Sequence, residues 1–347
     1  MVALAIGMLA SIVMLQMFAL SEERSRTATS GGDAQSNGAV TYYQMQSNLA
    51  RAGYGLNFPA LFNCSATWQV ASGSSIAKTV RIAPVTINPV DASGGSLIPV
   101  GDPNTDTLLV MYGNSDSQPE GNLADTSASP NYTMQMASSF NVGDRVIAVP
   151  AACSANLLID RVAAVAATTV TVETGASGTS LFNLGRGPAG LPTTAGANGP
   201  TILAYAIRGG NLTACDFMVN DCSITANTGN AAVWEPVANN IVSLRAQYGR
   251  DTAAAAHMDG IVDSYDRTTP TSSCGWARVS AVRVALVARS AQFEKTAVTP
   301  TAPAWDGSAG AAIDLSNNAS WQNYRYKLFQ AVIPLRNIAW MGVTSGC

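Results

Sequence analysis

Residues 1–20 read MVALAIGMLASIVMLQMFAL, a run without a charged side chain in which Ser11 and Gln16 are the only polar ones. At about 1.5 Å of rise per residue it makes a helix of about 30 Å, the thickness of a bilayer's hydrocarbon core. No Lys or Arg precedes the run, as a cleaved secretory signal would require. Residues 21–55 continue the helix in polar form. Tyr42, Met45, Leu49 and Ala52 recur at three- and four-residue steps and make one apolar stripe, with Gln44, Asn48 and Arg51 off it. Gly53 and Gly55 supply the stop, because glycine takes the left-handed conformation that closes a helix. Gly31, Gly32 and Gly38 each cost up to about 1 kcal/mol in a helix interior, so the helix is expected to bend or fray there.

From Phe58 onward the pattern changes to short β-branched runs bounded by turn formers, at 79–90, 107–112, 145–149, 157–172 and 201–207. The cleanest alternation sets Val282, Val284, Leu286 and Ala288 against Arg283, Ala285, Val287 and Arg289, which predicts a half-buried strand. Near the end Tyr324, Tyr326 and Leu328 alternate with Arg325, Lys327 and Phe329, and Pro334 marks an edge or the end of pairing. Segments 113–133, 175–200 and 296–323 read as long loops of low complexity, either variable surface or binding surface.

The 347 residues are 47% apolar and only 12% charged, with a formal net charge of -3. The core is therefore large. Three lysines, Lys78, Lys295 and Lys327, do not make a phosphate-neutralising patch, so no nucleic-acid partner is expected. The six cysteines, Cys64, Cys153, Cys215, Cys222, Cys274 and Cys347, include no C-x-x-C pair and accompany a single histidine, which disfavours a structural zinc site. Their even count behind an apolar segment favours disulfides in an oxidising compartment. The expected pairs are Cys215 with Cys222 as a local clip, Cys274 with Cys347 pinning the C-terminus, and Cys64 with Cys153 by elimination.

Little in the chain points to catalysis. His257 is the only imidazole and stands in AAAAHMDG, with no G-x-S-x-G elbow in the chain, so it reads as an exposed loop residue. GRGPAG at 185–190 matches a dinucleotide fingerprint, but Pro188 and Pro192 make it a loop and the match a matter of chance. The triplets at Asn63, Asn131, Asn211 and Asn318 are chance in an Asn-, Ser- and Thr-rich sequence. Asp251, Asp259 and Asp263 flank Gly260 in DTAAAAHMDGIVDSYD, where carboxylates around a tight turn suit a hard cation; calcium is the one candidate cofactor. Alanines stand at 253–256, where further oxygen ligands would be expected.

The string MVALAIGMLASIVMLQ is similar to the N-terminal segment shared by type IV pilins and type II secretion pseudopilins. LARAGYGL at 49–56 resembles the end of the long helix in the PilW family of minor pilins. VANNIVSLRAQYGRD at 237–251, WARVSAVRVALVARS at 276–290 and YKLFQAVIPLRNIAW at 326–340 are PilW-like and follow that family's order. The resemblance covers 1–58 and 233–347. The family's basic leader, the glycine of its processing site and the glutamate that follows would lie upstream of Met1. Many PilW-like proteins also carry a denser acidic, calcium-loop-like stretch after the YG-x-D.

The resemblance implies an α+β type IV pilin fold: a long N-terminal helix packed on an antiparallel β-sheet, with an enlarged β-rich head at 56–347. Residues 1–20 form the transmembrane or filament-core half of the helix and 21–55 its amphipathic half. In the head, 56–235 is variable and 236–347 PilW-like. Ala3, Leu4, Ile6, Leu9, Ile12, Val13, Leu15 and Phe18 are then expected in the filament core, and Tyr42, Met45, Leu49 and Ala52 against the head. The implied role is structural, not enzymatic: a minor pilin of a priming or tip complex. It would be held in the inner membrane with its head in the periplasm before joining the extracellular pilus. Its partners are other pilin subunits and a possible tip adhesin. Alternatives are a type II secretion pseudopilin of the GspJ kind, a major filament subunit, or an adhesin head whose recognition lies in the three loops.

Overall fold

The computed structural model describes residues 2–56, 58–70, 73–115, 121–149, 153, 156, 157–176, 178–186, 200–254, 258–339, 341, 342, 344 and 347. Within the first helix only the backbone is described for 2–5, 19, 20 and 23–30. The protein is α+β, and its sheets are almost wholly antiparallel.

The helix α1 spans Val2–Arg51 without interruption. The fraying expected at Gly31, Gly32 and Gly38 does not occur: all three are helical. Gly31 and Gly32 have nothing within 4 Å of where a Cβ would stand, whereas at Gly38 a Cβ would collide with the Phe329 ring and lie 2.9 Å from Ala288 Cβ. The glycine that looked like a weak point is where helix and sheet come too close for a side chain. Past Arg51 the chain turns through Gly53 and Gly55, both at positive φ (82° and 70°), and the Gly53 N–H donates to Met111 O at 2.9 Å.

Three sheets follow. The four-stranded C-terminal sheet runs Ser264–Asp266, Ile241–Arg250, Val279–Arg289, Tyr326–Pro334. The five-stranded sheet runs Glu235–Ala238, Asn211–Asp216, Thr201–Arg208, Leu108–Tyr112, Val85–Ile87. A nine-stranded sheet holds the remaining strands between 65 and 186, and its one parallel pairing joins Ser65–Thr67 to Leu157–Val165. One apolar cluster joins the second half of α1, the C-terminal sheet and one face of the five-stranded sheet. A second joins the other face of the five-stranded sheet, through Leu109, Met111 and Ile202, to Ile147, Leu157 and Phe182 of the nine-stranded sheet. The layers are therefore continuous in their packing.

The strand Val279–Arg289 is not half-buried as its alternation suggested. Val282, Val284, Leu286 and Ala288 face α1 as expected, but Ala285 and Val287 on the other face are also fully buried, under Trp305, Ile313 and Leu315. The polar ends of that face are covered too, with Arg283 stacked 3.6 Å over the Tyr265 ring. Segment 296–323 is thus in part a lid on the sheet, carried there by Trp305, Ile313 and Leu315 with Ala302 and Trp321 packed beside them. The partner strand keeps its alternation: Tyr326 and Leu328 lie under the lid and Phe329 against the helix. Pairing ends at Pro334, on the sheet's edge.

All six cysteines are paired, Cys64 with Cys153, Cys215 with Cys222 and Cys274 with Cys347. The last bridge holds the C-terminus against the start of Val279–Arg289, where Arg278 Nε donates to Cys347 O at 3.1 Å.

Candidate functional site

The feature that sets this chain apart is α1, which carries two unlike surfaces. Ala34, Gly38, Thr41, Met45, Leu49 and Ala52 recur every three or four residues and are buried, with Leu49 and Ala52 at 0% exposure. Their small members let the helix sink onto the sheet. Tyr42 lies at the side of this seat, its ring stacked on Phe329 with centroids 6.4 Å apart. The anticipated stripe of Tyr42, Met45, Leu49 and Ala52 is therefore its lower half. Ala34, Gly38 and Thr41 were legible as a continuation of the same spacing but are too small to register as apolar.

Polar contacts fix the helix along its length. Asn37 Nδ2 donates to Asn239 O at 2.5 Å. Asn48, which sequence placed off the stripe, is half-buried: its Nδ2 donates to Tyr205 Oη at 2.7 Å and its Oδ1 accepts from Tyr112 Oη at 3.0 Å. Burial pushes the Tyr205 hydroxyl up to about 12, so it stays neutral in this network. At the helix end Asn337 Nδ2 donates to both Arg51 O and Ala52 O at 3.0 Å, satisfying carbonyls that a terminating helix leaves without partners.

The first half of the helix is the reverse. Ile6, Met8, Leu9, Ile12, Val13, Met14, Leu15, Met17 and Phe18 are all between 50% and 73% exposed. Ala3 and Leu4 fall among the residues whose side chains are not described. Among the described residues no helix is long and apolar enough to cross a membrane. What remains is a run of large apolar side chains with no cover, on a helix whose other end is fully seated.

Residues 205–337 match the family described as Type IV Pilus-assembly protein W. Over that stretch, somewhat more than a third of its length, the chain is similar to the PilW family. No curated protein and no solved structure matches the chain. The PilW match contains the three long strands of the C-terminal sheet, Tyr205, Phe329 and the helix-capping Asn337, and so most of the seat of α1. It begins further upstream than the resemblance drawn from sequence, taking in the hairpin of the five-stranded sheet. The nine-stranded sheet and α1 itself lie outside it.

The Asp-rich turn falls within the PilW region. Asp251 is 1% exposed. Its Oδ1 accepts from Ala253 N at 3.0 Å, and its Oδ2 accepts from Asp259 N and Gly260 N at 2.9 Å. Arg278 Nη1 stands 3.7 Å from it. Burial pushes the Asp251 carboxyl up, but these N–H groups and Arg278 outweigh it and hold it below the ordinary range. Asp263 accepts from Thr252 N at 2.7 Å, and Asp259 from Ile261 N at 2.8 Å. The three carboxylates share one loop and accept from its backbone amides, an arrangement that staples the turn. Among the described residues no group of three or more His, Cys, Asp or Glu is placed to hold a metal ion. His257 lies outside the described residues.

Proposed function

We propose that this chain is a minor pilin of a type IV pilus, with a pilin-type fold, acting in the priming or tip complex. The observation that carries the reading is the division of α1: one half seated in the PilW-family sheet, the other a run of uncovered large apolar residues. Such a surface is unstable in water, at about 25 cal/mol per Å² of apolar area, and lipid or a bundle of similar helices relieves it equally well. A subunit built this way waits in the inner membrane with its head in the periplasm. It then exchanges lipid for neighbouring pilin helices as it enters the filament, through Ile6, Leu9, Ile12, Val13, Leu15 and Phe18. Three disulfides suit a head that folds in an oxidising compartment. The bulk added by the nine-stranded sheet is easier to place at a tip than at every position of a shaft.

Immunogold labelling of sheared pili with an antibody to the head tests this. Gold at filament ends and a low ratio to the main subunit are expected. Label along the whole shaft identifies a major subunit instead, and a chain that fractionates with a secretion complex and never with pili identifies a pseudopilin.

A further inference from the structure

Where the five-stranded sheet, the C-terminal sheet and the lid segment meet, a half-open cavity of about 510 Å³ is lined by Asp102, Gly210, Val242, Arg289, Asn317 and Asn318, within the roughly 300–1,000 Å³ of ligand pockets. Leu315, Ala319 and Tyr326 complete its apolar wall. Its polar groups are held but not used up. Asp102 accepts from Gly209 N at 2.9 Å and Gly210 N at 2.7 Å; the Arg208 guanidinium lies near enough to feel its charge without forming an ion pair with it among the described residues. Both glycines are at positive φ, 57° and 74°, so the hairpin turn that presents these amides needs them. Arg289 donates one Nη to Asn240 Oδ1 at 3.0 Å and lies 4.6 Å from the Tyr324 ring centre. Its Nε is buried without a partner, and no carboxylate pairs with it among the described residues. Asn317 Nδ2 donates to Pro103 O at 2.6 Å, and Asn318 Oδ1 accepts from Ser320 N at 3.0 Å; among the described residues the Asn317 Oδ1 and the Asn318 Nδ2 have no hydrogen-bond partner.

We infer that this cavity binds a carbohydrate, a ring with neighbouring hydroxyls and an apolar C–H face. The cavity keeps a carboxylate and a guanidinium in one wall without pairing them. An anion alone would face Asp102, and a cation alone would face Arg289. A zwitterion would satisfy both but leave the two carboxamides idle and bring two more charges out of water, which is costly. A hydroxyl both donates and accepts, and planar carboxylate, guanidinium and carboxamide groups each take two neighbouring hydroxyls. Val242, Leu315, Ala319 and the Tyr326 ring, whose hydroxyl is spent on Trp321 O at 3.0 Å, meet the C–H face. The inference does not depend on where the subunit sits in a pilus.

The test uses the full-length chain in a detergent without a sugar headgroup. Saturation-transfer NMR and titration calorimetry are run with glucose, galactose, mannose, N-acetylglucosamine and lactose, and with glycine and glutamate. At least one saccharide is expected to bind. Asn317→Ala should weaken it about tenfold, the worth of one hydrogen bond, and Ala319→Phe should abolish it by filling the cavity with the melting temperature unchanged. No saccharide binding to the wild type, binding unaltered in Ala319→Phe, or binding of the amino acids alone would each overturn the inference.

Discussion

The two halves of α1 share one backbone and differ in what surrounds them, and the greasier half is the one left uncovered. Residues 6–18 carry large side chains and meet nothing, whereas 34–52 bury alanine, glycine and threonine beside Met45 and Leu49. Burial here follows the neighbour the fold supplies and not hydropathy. The small residues of the second half mark where the chain's own sheet comes close, and the large residues of the first half are left uncovered by any described residue.

The sharpest way to break this contrast is to place the same charge in each half. Leu49→Asp should cost about 4 kcal/mol or more in urea unfolding of the head, because an unpaired carboxylate is buried. Leu9→Asp should leave that transition within about 0.5 kcal/mol while removing the protein from pili. Equal losses would dissolve the distinction. A second substitution probes closeness instead of charge. Gly38→Leu drives a side chain into Phe329 and Ala288 and should cost about 1–3 kcal/mol by overpacking.

A smaller effect should appear on acidification, in the loop that staples the sheet beneath the helix. Asp251 has its folded pKa lowered, so its contribution is complete above the unfolded carboxylate value of about 3.9 and is lost as pH falls through the still lower folded value. Chemical melts of wild type and Asp251→Asn should therefore differ at pH 6 and converge under strong acid; a difference that widens on acidification contradicts the staple. Asp216 gives the opposite sign. Burial raises it to about 6, so it costs stability as pH rises from about 3.9 to 6 and holds that cost above. Asp216→Asn should stabilise the protein at pH 7.5 more than at pH 4. Least of all, Gly31→Ala, with open space around it, should add up to about 1 kcal/mol of helix stability.

How much of this was legible in sequence depended on whether the signal was local. The helix, its stop at Gly53 and Gly55, and the strands Thr201–Arg208 and Val279–Arg289 follow from spacing and turn formers within a few residues. The two errors of emphasis, Gly38 as a place where the helix bends or frays and Val279–Arg289 as half-buried, share one cause. Each residue's partner is remote: Phe329 and Ala288 for Gly38, and Trp305, Ile313 and Leu315 for Ala285 and Val287. Asn48 misled in the same way, because a polar residue beside an apolar stripe reads as solvent-facing until Tyr112 and Tyr205 are seen to receive it. In the Asp251 turn, residue types showed carboxylates together but not which way they pointed. The cavity is built from six separated segments and leaves no trace in any one of them.

Asn337 closes the end of α1 across a sequence separation of 286 residues. On a ribosome this means that the helix emerges long before its clasp exists. Closing so wide a loop is slow relative to local folding, so the helix end stays unlocked until the strand Tyr326–Pro334 that precedes its clasp has been made and paired. A helix end firmly held is then a report that the sheet beneath it is in place.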